Sequence, residues 1–248
     1  MLVYGALFAL STLAASAESI RLRADTWMPY NGTAKDNPPG FAVELAKEIF
    51  EAKGINVDYS TMPWTDALAA GRAGTIDGVI GASPAETEGM IKPEESIGEP
   101  RFIIVVLKSN PWKYDILALD SVRLGVINGY SYWDSLDEYI NNAAHESKIV
   151  HFAGETPLID AINQLKDGKI DALPENMAVF KWTVANMGLS TRDFRIVHVH
   201  PNEPIYIALA KTATGARYAK ILDEGIRSLR ASGQLEKLLS KYDMTDWK

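Results

Sequence analysis

Residues 66–78 read DALAAGRAGTIDG, and residues 160–172 read DAINQLKDGKIDA. Set one on the other without a gap, Asp66 meets Asp160, Ala67 meets Ala161, Gly74 meets Gly168, Ile76 meets Ile170 and Asp77 meets Asp171. Leu68 faces Ile162, Arg72 faces Lys166, and a proline stands at the matching upstream place in each copy, Pro63 and Pro157. Each phrase reads as a short helix, a glycine that stops it, and a buried strand. Such units are common enough to recur by chance. The order around them favours duplication, because strand–loop–helix–strand precedes both copies and a polar loop follows both. Two α/β lobes of similar build, each with a small sheet and crossover helices, account for that order.

Working outward, SIRLRAD (19–25) alternates as a half-buried strand, and TWMPYNGTAKDNPPG (26–40) is turn chemistry. FAVELAKEIFEAKG (41–54) has helical spacing, and INVDYSTM (55–62) returns to strand alternation. Ile76–Ile80 and RFIIVVLKS (101–109) complete the strands of the first half. The second half runs through strand 122–128, helix 130–143, strand 148–152, helix 157–167 and strand 169–173. Strands at 194–200 and 204–212 follow, then a helix pair over 219–244 broken at Gly233.

The 248 residues bury a real core, and the net charge of −7 with pI near 5.2 speaks against a nucleic-acid partner. Without cysteine there is no disulfide, thiolate metal site or lipidated leading Cys. Residues 2–15, LVYGALFALSTLAA, form an uncharged apolar run, and Ala15-Ser16-Ala17 follows as a small-x-small cleavage pattern. They read as a secretory signal peptide cut after Ala17, which marks the mature chain for export. No basic residue stands near Met1, so the true start is open.

Together, ADTWMPY (24–30), PGFAVELAKEIF (39–50), MPW with DALAAGRAGTIDG (62–78), LGVINGYSY (124–132), GKIDALPEN (168–176) and LRASGQLEKLLSKY (229–242) make a pattern. It resembles the bacterial periplasmic solute-binding proteins of ABC-type uptake systems, specifically the polar-amino-acid-type family with the type II two-lobe fold. The resemblance implies a signal peptide over 1–17, a first lobe of 18–107 plus 203–248, and a second lobe of 108–202. It implies two hinge crossings, near 106–110 and 198–204, and a ligand in the cleft. Its implied partners are a small-molecule ligand and a membrane permease; we expect a monomer with no cofactor.

The resemblance assigns cleft positions residue by residue. Trp27 and Trp64 match aromatic walls, and Tyr30 stands beside them; the same rings could equally be packed in a loop core. Asp25 either supports that loop or reaches the cleft. Gly81, Ala82 and Ser83 match a stretch that offers backbone and hydroxyl groups to a ligand carboxylate, although Ser83 could instead cap the next turn. Thr87 joins them. In the second lobe, Tyr130, Ser131 and Tyr132 follow Gly129 at a helix N-terminus, where free N–H groups attract anions.

Two positions depart from the pattern. Amino-acid binders of the family carry an Arg that forks onto the ligand carboxylate, and Gly89 stands there. They carry an Asp that pairs with the ligand ammonium, and Asn176 stands there, with Glu175 one place before it. The expectation is therefore a small polar solute, amino-acid-like or an organic acid, not held in the usual zwitterion pose. Two alternatives remain on the sequence: a dehydratase-like cleft enzyme using Glu175 or Glu86 as general acid, and a freestanding sensor that hands its ligand to a receptor. We expect no catalytic and no metal-binding residue. The four histidines, 145, 151, 198 and 200, lack metal-ligand spacing with acidic partners, although His198 and His200 share one strand face.

Overall fold

The structure is a computed structural model and describes residues 18–248; the expected signal segment lies outside the described residues. The first lobe opens with β1 (Ser19–Ala24), α1 (Phe41–Glu51), β2 (Asn56–Thr61), α2 (Trp64–Ala73) and β3 (Gly78–Ala82). Its sheet runs β2-β1-β3-β9, where β9 is Tyr206–Leu209 near the end of the chain. β1 is parallel to β2 and β3, and β9 closes the edge antiparallel. The apolar positions of α1 recur at helical spacing, so Phe41, Leu45, Ala46, Ile49 and Phe50 are buried together on the sheet.

The second half contains β4 (Phe102–Leu107), β5 (Leu124–Ile127), α3 (Asp134–Asn141), β6 (Ile149–Phe152), α4 (Pro157–Lys166), β7 (Leu173–Asn176), α5 (Met177–Asn186) and β8 (Phe194–Val199). β6 is parallel to β5; a Leu124–Ala172 bridge links β5 to the β7 segment, and β4 lies antiparallel between β7 and β8. The order β6-β5-β7-β4 thus repeats β2-β1-β3-β9. The chain returns through β9 to α6 (Ala213–Ala231) and α7 (Gln234–Ser240), separated at left-handed Gly233.

The duplicated phrase has a shared atomic reason. The Asp77 carboxylate accepts the Arg21 backbone N–H at 2.8 Å and the Arg21 guanidinium at 2.9 Å. The Asp171 carboxylate accepts the Arg123 backbone N–H and guanidinium at the same two distances. Each arginine also donates to a carbonyl of the preceding turn, Thr75 or Gly168. One motif therefore clips the start of a neighbouring parallel strand in both lobes, with Gly74 and Gly168 supplying the left-handed residue that stops each helix.

Some expected boundaries move. α2 starts at Trp64, so that ring is fixed by the first helical turn. Both repeat strands begin later than Ile76 and Lys169, because those segments are taken up by the Asp–Arg clips. The helix expected from Tyr130 starts at Asp134, because Asp137 takes the Tyr132 N–H and the Ser131 hydroxyl and holds residues 130–133 outside the helix. Sheet partners also assign β4 to the second lobe. A Gly98–Ile205 bridge belongs to the first lobe and the Ile103–Val199 pair to the second, so the first crossing precedes residue 103, not 106–110 as expected. β4 is uniformly apolar, which suits a central strand and hides the crossing from the sequence.

Arg123 is half exposed, so Asp171→Ala is expected to lower the urea midpoint only slightly. Arg123 holds the Asp171 carboxyl below the usual carboxylate range. That contribution is present above the unfolded carboxylate pKa and lost as pH falls through the folded one, so the parent–variant difference shrinks in acid.

Candidate functional site

The two lobes meet face to face beyond the carboxyl ends of β1 and β3, where open α/β sheets place ligands. Gly129 after β5 marks how closely: a Cβ added there would come within 2.4 Å of the Thr65 methyl of the first lobe. Its φ of +77° is also the left-handed region. Within the cleft, side chains of each lobe hydrogen-bond to the other. Tyr130 Oη donates to Asp25 Oδ2 at 2.5 Å, and Trp27 Nε1 to Glu175 Oε1 at 3.1 Å. The Ser131 N–H donates to Glu86 Oε1 at 3.3 Å, and Asn176 Nδ2 to Tyr30 Oη at 3.4 Å.

Between these contacts is an inner cavity of about 30 Å³, enough for one water-sized group. Asp25, Trp27, Trp64, Gly81, Ser83 and Glu86 line it from the first lobe, and Tyr130 and Ser131 from the second; Phe102 and Ile205 close its crossing side. A second cavity of about 650 Å³ lies between the same lobes, and Asp25 lines it too. A groove of about 730 Å³ between α1, α6 and α7 is on the outside of the first lobe, away from the cleft.

Six expected site residues, Trp27, Trp64, Gly81, Ser83, Tyr130 and Ser131, are brought together on this cavity. Five are not among its lining residues. Tyr30 is a buried support, stacked on Trp27 with ring centroids 4.5 Å apart. Ala82 is a β3 core residue packed with Trp64. Thr87 donates its hydroxyl to the Pro84 carbonyl. Tyr132 accepts the Ile127 N–H and sets its ring edge-on to Phe102. Asn176 caps α5, its Oδ1 accepting the Ala178 and Val179 N–H groups, so its amide oxygen serves the helix. Ser83 both lines the cavity and caps its turn, accepting the Glu86 N–H at 3.4 Å.

The histidine strand has its own packing. His198 lies against Tyr114 and His200 stacks on Trp133, and among the described residues no group of three or more His, Asp or Glu could hold a metal ion.

Three carboxyls missed or undervalued on the sequence dominate the site. Burial pushes Glu175 up to about 8, against the pull of the Asn176 N–H and Trp27 Nε1; the residue is fully buried, and its Oε2 has no hydrogen-bond partner among the described residues. Burial likewise raises Asp25 to about 6, opposed by the Tyr130 hydroxyl. Glu86 is raised by burial too, although its carboxylate collects three N–H donors: Trp64 Nε1 at 2.8 Å, Ser83 N at 2.8 Å and Ser131 N at 3.3 Å. Neither candidate arginine reaches them. Arg72 is spent on the Glu86 and Glu88 carbonyls beside Gly89, and Arg101 on the Asn202 side chain. The one available signal was local: Asp25 directly follows β1 and precedes a tryptophan by two residues.

Residues 22–245 match the family model for bacterial extracellular solute-binding proteins, family 3. The chain belongs to that family. A curated relative from Neisseria gonorrhoeae, described as "Probable histidine-binding protein", is 24% identical over 213 residues, covering 84% of this chain and 76% of that one. Among solved structures, an ancestral arginine-binding protein bound to arginine has a TM-score of 0.74 at 21% identity, covering 90% of this chain and 97% of its own. The substrate-binding protein of an amino acid ABC transporter scores 0.71 at 21% identity, covering 90% and 98%. The two-lobe type II fold of these solute-binding proteins is thus the fold of this chain.

Because Glu175 is raised in the folded state, the native chain holds more protons than the unfolded one between the ordinary glutamate value and about 8. That term costs stability as pH rises across the window. Glu175→Gln is therefore expected to gain melting temperature relative to the parent between pH 5 and about 8, and the difference to vanish near pH 4; paired thermal melts check it.

Proposed function

We propose that the chain is the exported ligand-capture component of an ABC-type uptake system. Residues 18–101 with 203–248 and residues 102–202 close as two lobes around a small polar solute of amino-acid-like size and present it to a membrane permease. The observation that carries this reading is the inner cavity, whose walls come from both lobes and from the strands that cross between them. A solute shifts a closure equilibrium only through contacts that differ between the open and closed states, and a two-sided site makes them. The family, and relatives described as binding amino acids, support the solute class.

Binding is favoured over catalysis on the same geometry. Glu86 has both carboxylate oxygens engaged by N–H donors, and Glu175 faces the Trp27 ring nitrogen without lining the cavity. Neither is placed as a free acid beside an empty reacting position.

The test is a thermal-shift screen of the chain from Glu18 against amino acids, organic acids and amines, repeated on Trp64→Ala and Ser131→Ala. A solute that stabilises the parent is expected to lose roughly tenfold or more in affinity in Trp64→Ala. Undiminished binding in both variants would remove the cleft assignment. Gly129→Ala should weaken the same solute severalfold by propping the lobes apart, with a larger radius of gyration in X-ray scattering, and Thr65→Ala should partly rescue it.

A further inference from the structure

We propose, building on the cleft-capture reading, that the solute is an organic amine without a carboxylate. Its ammonium sits on Asp25, and its apolar body occupies the larger cavity between the lobes.

The first observation is that the anion position of the cleft is already filled by the protein. Glu86 brings its carboxylate to the Trp64 ring N–H and the Ser83 backbone N–H of its own lobe and to the Ser131 backbone N–H of the other. Three converging donors from two lobes are what a solute carboxylate would need, and charge-assisted hydrogen bonds of this kind are the strong ones. A tethered carboxylate loses little freedom on occupying that cradle, whereas a free solute would have to displace it and pay its own immobilisation.

The second observation is an excess of acceptors. No Lys, Arg or His lines either cavity, while Asp25, Glu86 and Glu155 do. Behind the Trp27 wall, fully buried Glu175 keeps Oε2 without a donor, and buried Asn31 leaves Oδ1 unpaired beside Gly81. Unpaired buried acceptors are costly, and an ammonium is the complementary group, with three donors and no acceptor. Trp27 and Tyr130 flank the place with rings, which favour a cation over their faces.

The third observation is shape. The inner cavity admits only a head-sized group, and the outer one, about 650 Å³, falls in the range of ordinary small-molecule sites. Met28, Met62 and Pro63 line it from the first lobe, and Leu158, Trp182 and Met187 from the second. Methionine-rich walls suit an apolar body of irregular outline. Asp25 lines both cavities, so a charge held there directs the rest of the molecule outward. The raised carboxyls agree with this: fully buried Glu175 and half-buried Asp25 have no cation paired with them among the described residues, and a bound ammonium would draw them down.

The experiment uses pairs that differ by the carboxylate only: phenylalanine with phenethylamine, tryptophan with tryptamine, leucine with isoamylamine. Titration calorimetry and thermal shift on the parent should show the amine of at least one pair binding and its amino acid weaker by roughly tenfold or more. Asp25→Asn, checked for fold by circular dichroism, should lose that amine by a similar factor. Glu86→Ala empties the cradle and should narrow the gap within the pair. The proposal is overturned if the amino acid of a pair binds as tightly as its amine, if no amine binds, or if Asp25→Asn binds the amine as the parent does. A neutral or acidic solute that binds the parent and is lost in Trp64→Ala overturns the amine while leaving cleft capture standing. An amine that binds the parent, Trp64→Ala and Ser131→Ala alike overturns both.

Discussion

Everything in the cleft depends on a two-stranded crossing. β4 and β8 run antiparallel, and their extensions pass between the lobes from the Gly98–Ile205 bridge to the Ile103–Val199 pair. A ribbon of two hydrogen-bonded segments resists sliding apart more than bending, so the proposed closure would turn on it. The inner cavity lies directly on it, with Phe102 and Ile205 as its floor. A solute held there would touch residues of both lobes next to their crossing.

The same carboxylate chemistry is used in two opposite ways. At the amino ends of the central parallel strands, Asp77 and Asp171 are each gripped by an arginine and by a backbone N–H, which keeps both carboxyls below their ordinary range and secures those strands. In the cleft, Glu175 is fully buried and Asp25 half-buried, neither is paired with a cation among the described residues, and their carboxyls rise. The chain has 25 Lys and Arg residues, yet spends none of them on the two cavity linings. Burial without neutralisation costs stability, and a fold accepts such cost at sites that await a partner.

Glu86 shows how a familiar fold changes what it recognises. Donors that the resemblance assigns to a ligand carboxylate, at Ser83 and Ser131, are present and aligned, but they hold a side chain of the protein. The substitution of Gly89 at the clamp position is consistent with this arrangement, since Arg72 packs alongside that glycine and anchors the turn carrying Glu86. Two of the three donors are backbone N–H groups, which outlast changes of the side chains around them, so filling the site from within is a direct way to stop selecting carboxylates.

The duplicated phrase at 66–78 and 160–172, its glycine stops and the alternation around it were enough to specify two α/β lobes, since these are local periodicities and turn chemistries that hold wherever the segment lies. The aromatic loop at Trp27 and the turn at Tyr130–Ser131 were legible for the same reason: each directly follows a strand. What the sequence could not carry was which side chains meet across the gap. Asn176 reads as a ligand group until it is seen capping α5, Tyr30 until it is seen behind Trp27, and β4 reads as a strand of either lobe. The partners of Asp25, Glu86 and Glu175 lie 105, 45 and 148 positions away, and such pairings follow from how the lobes close on their crossing, a geometry written in no single segment.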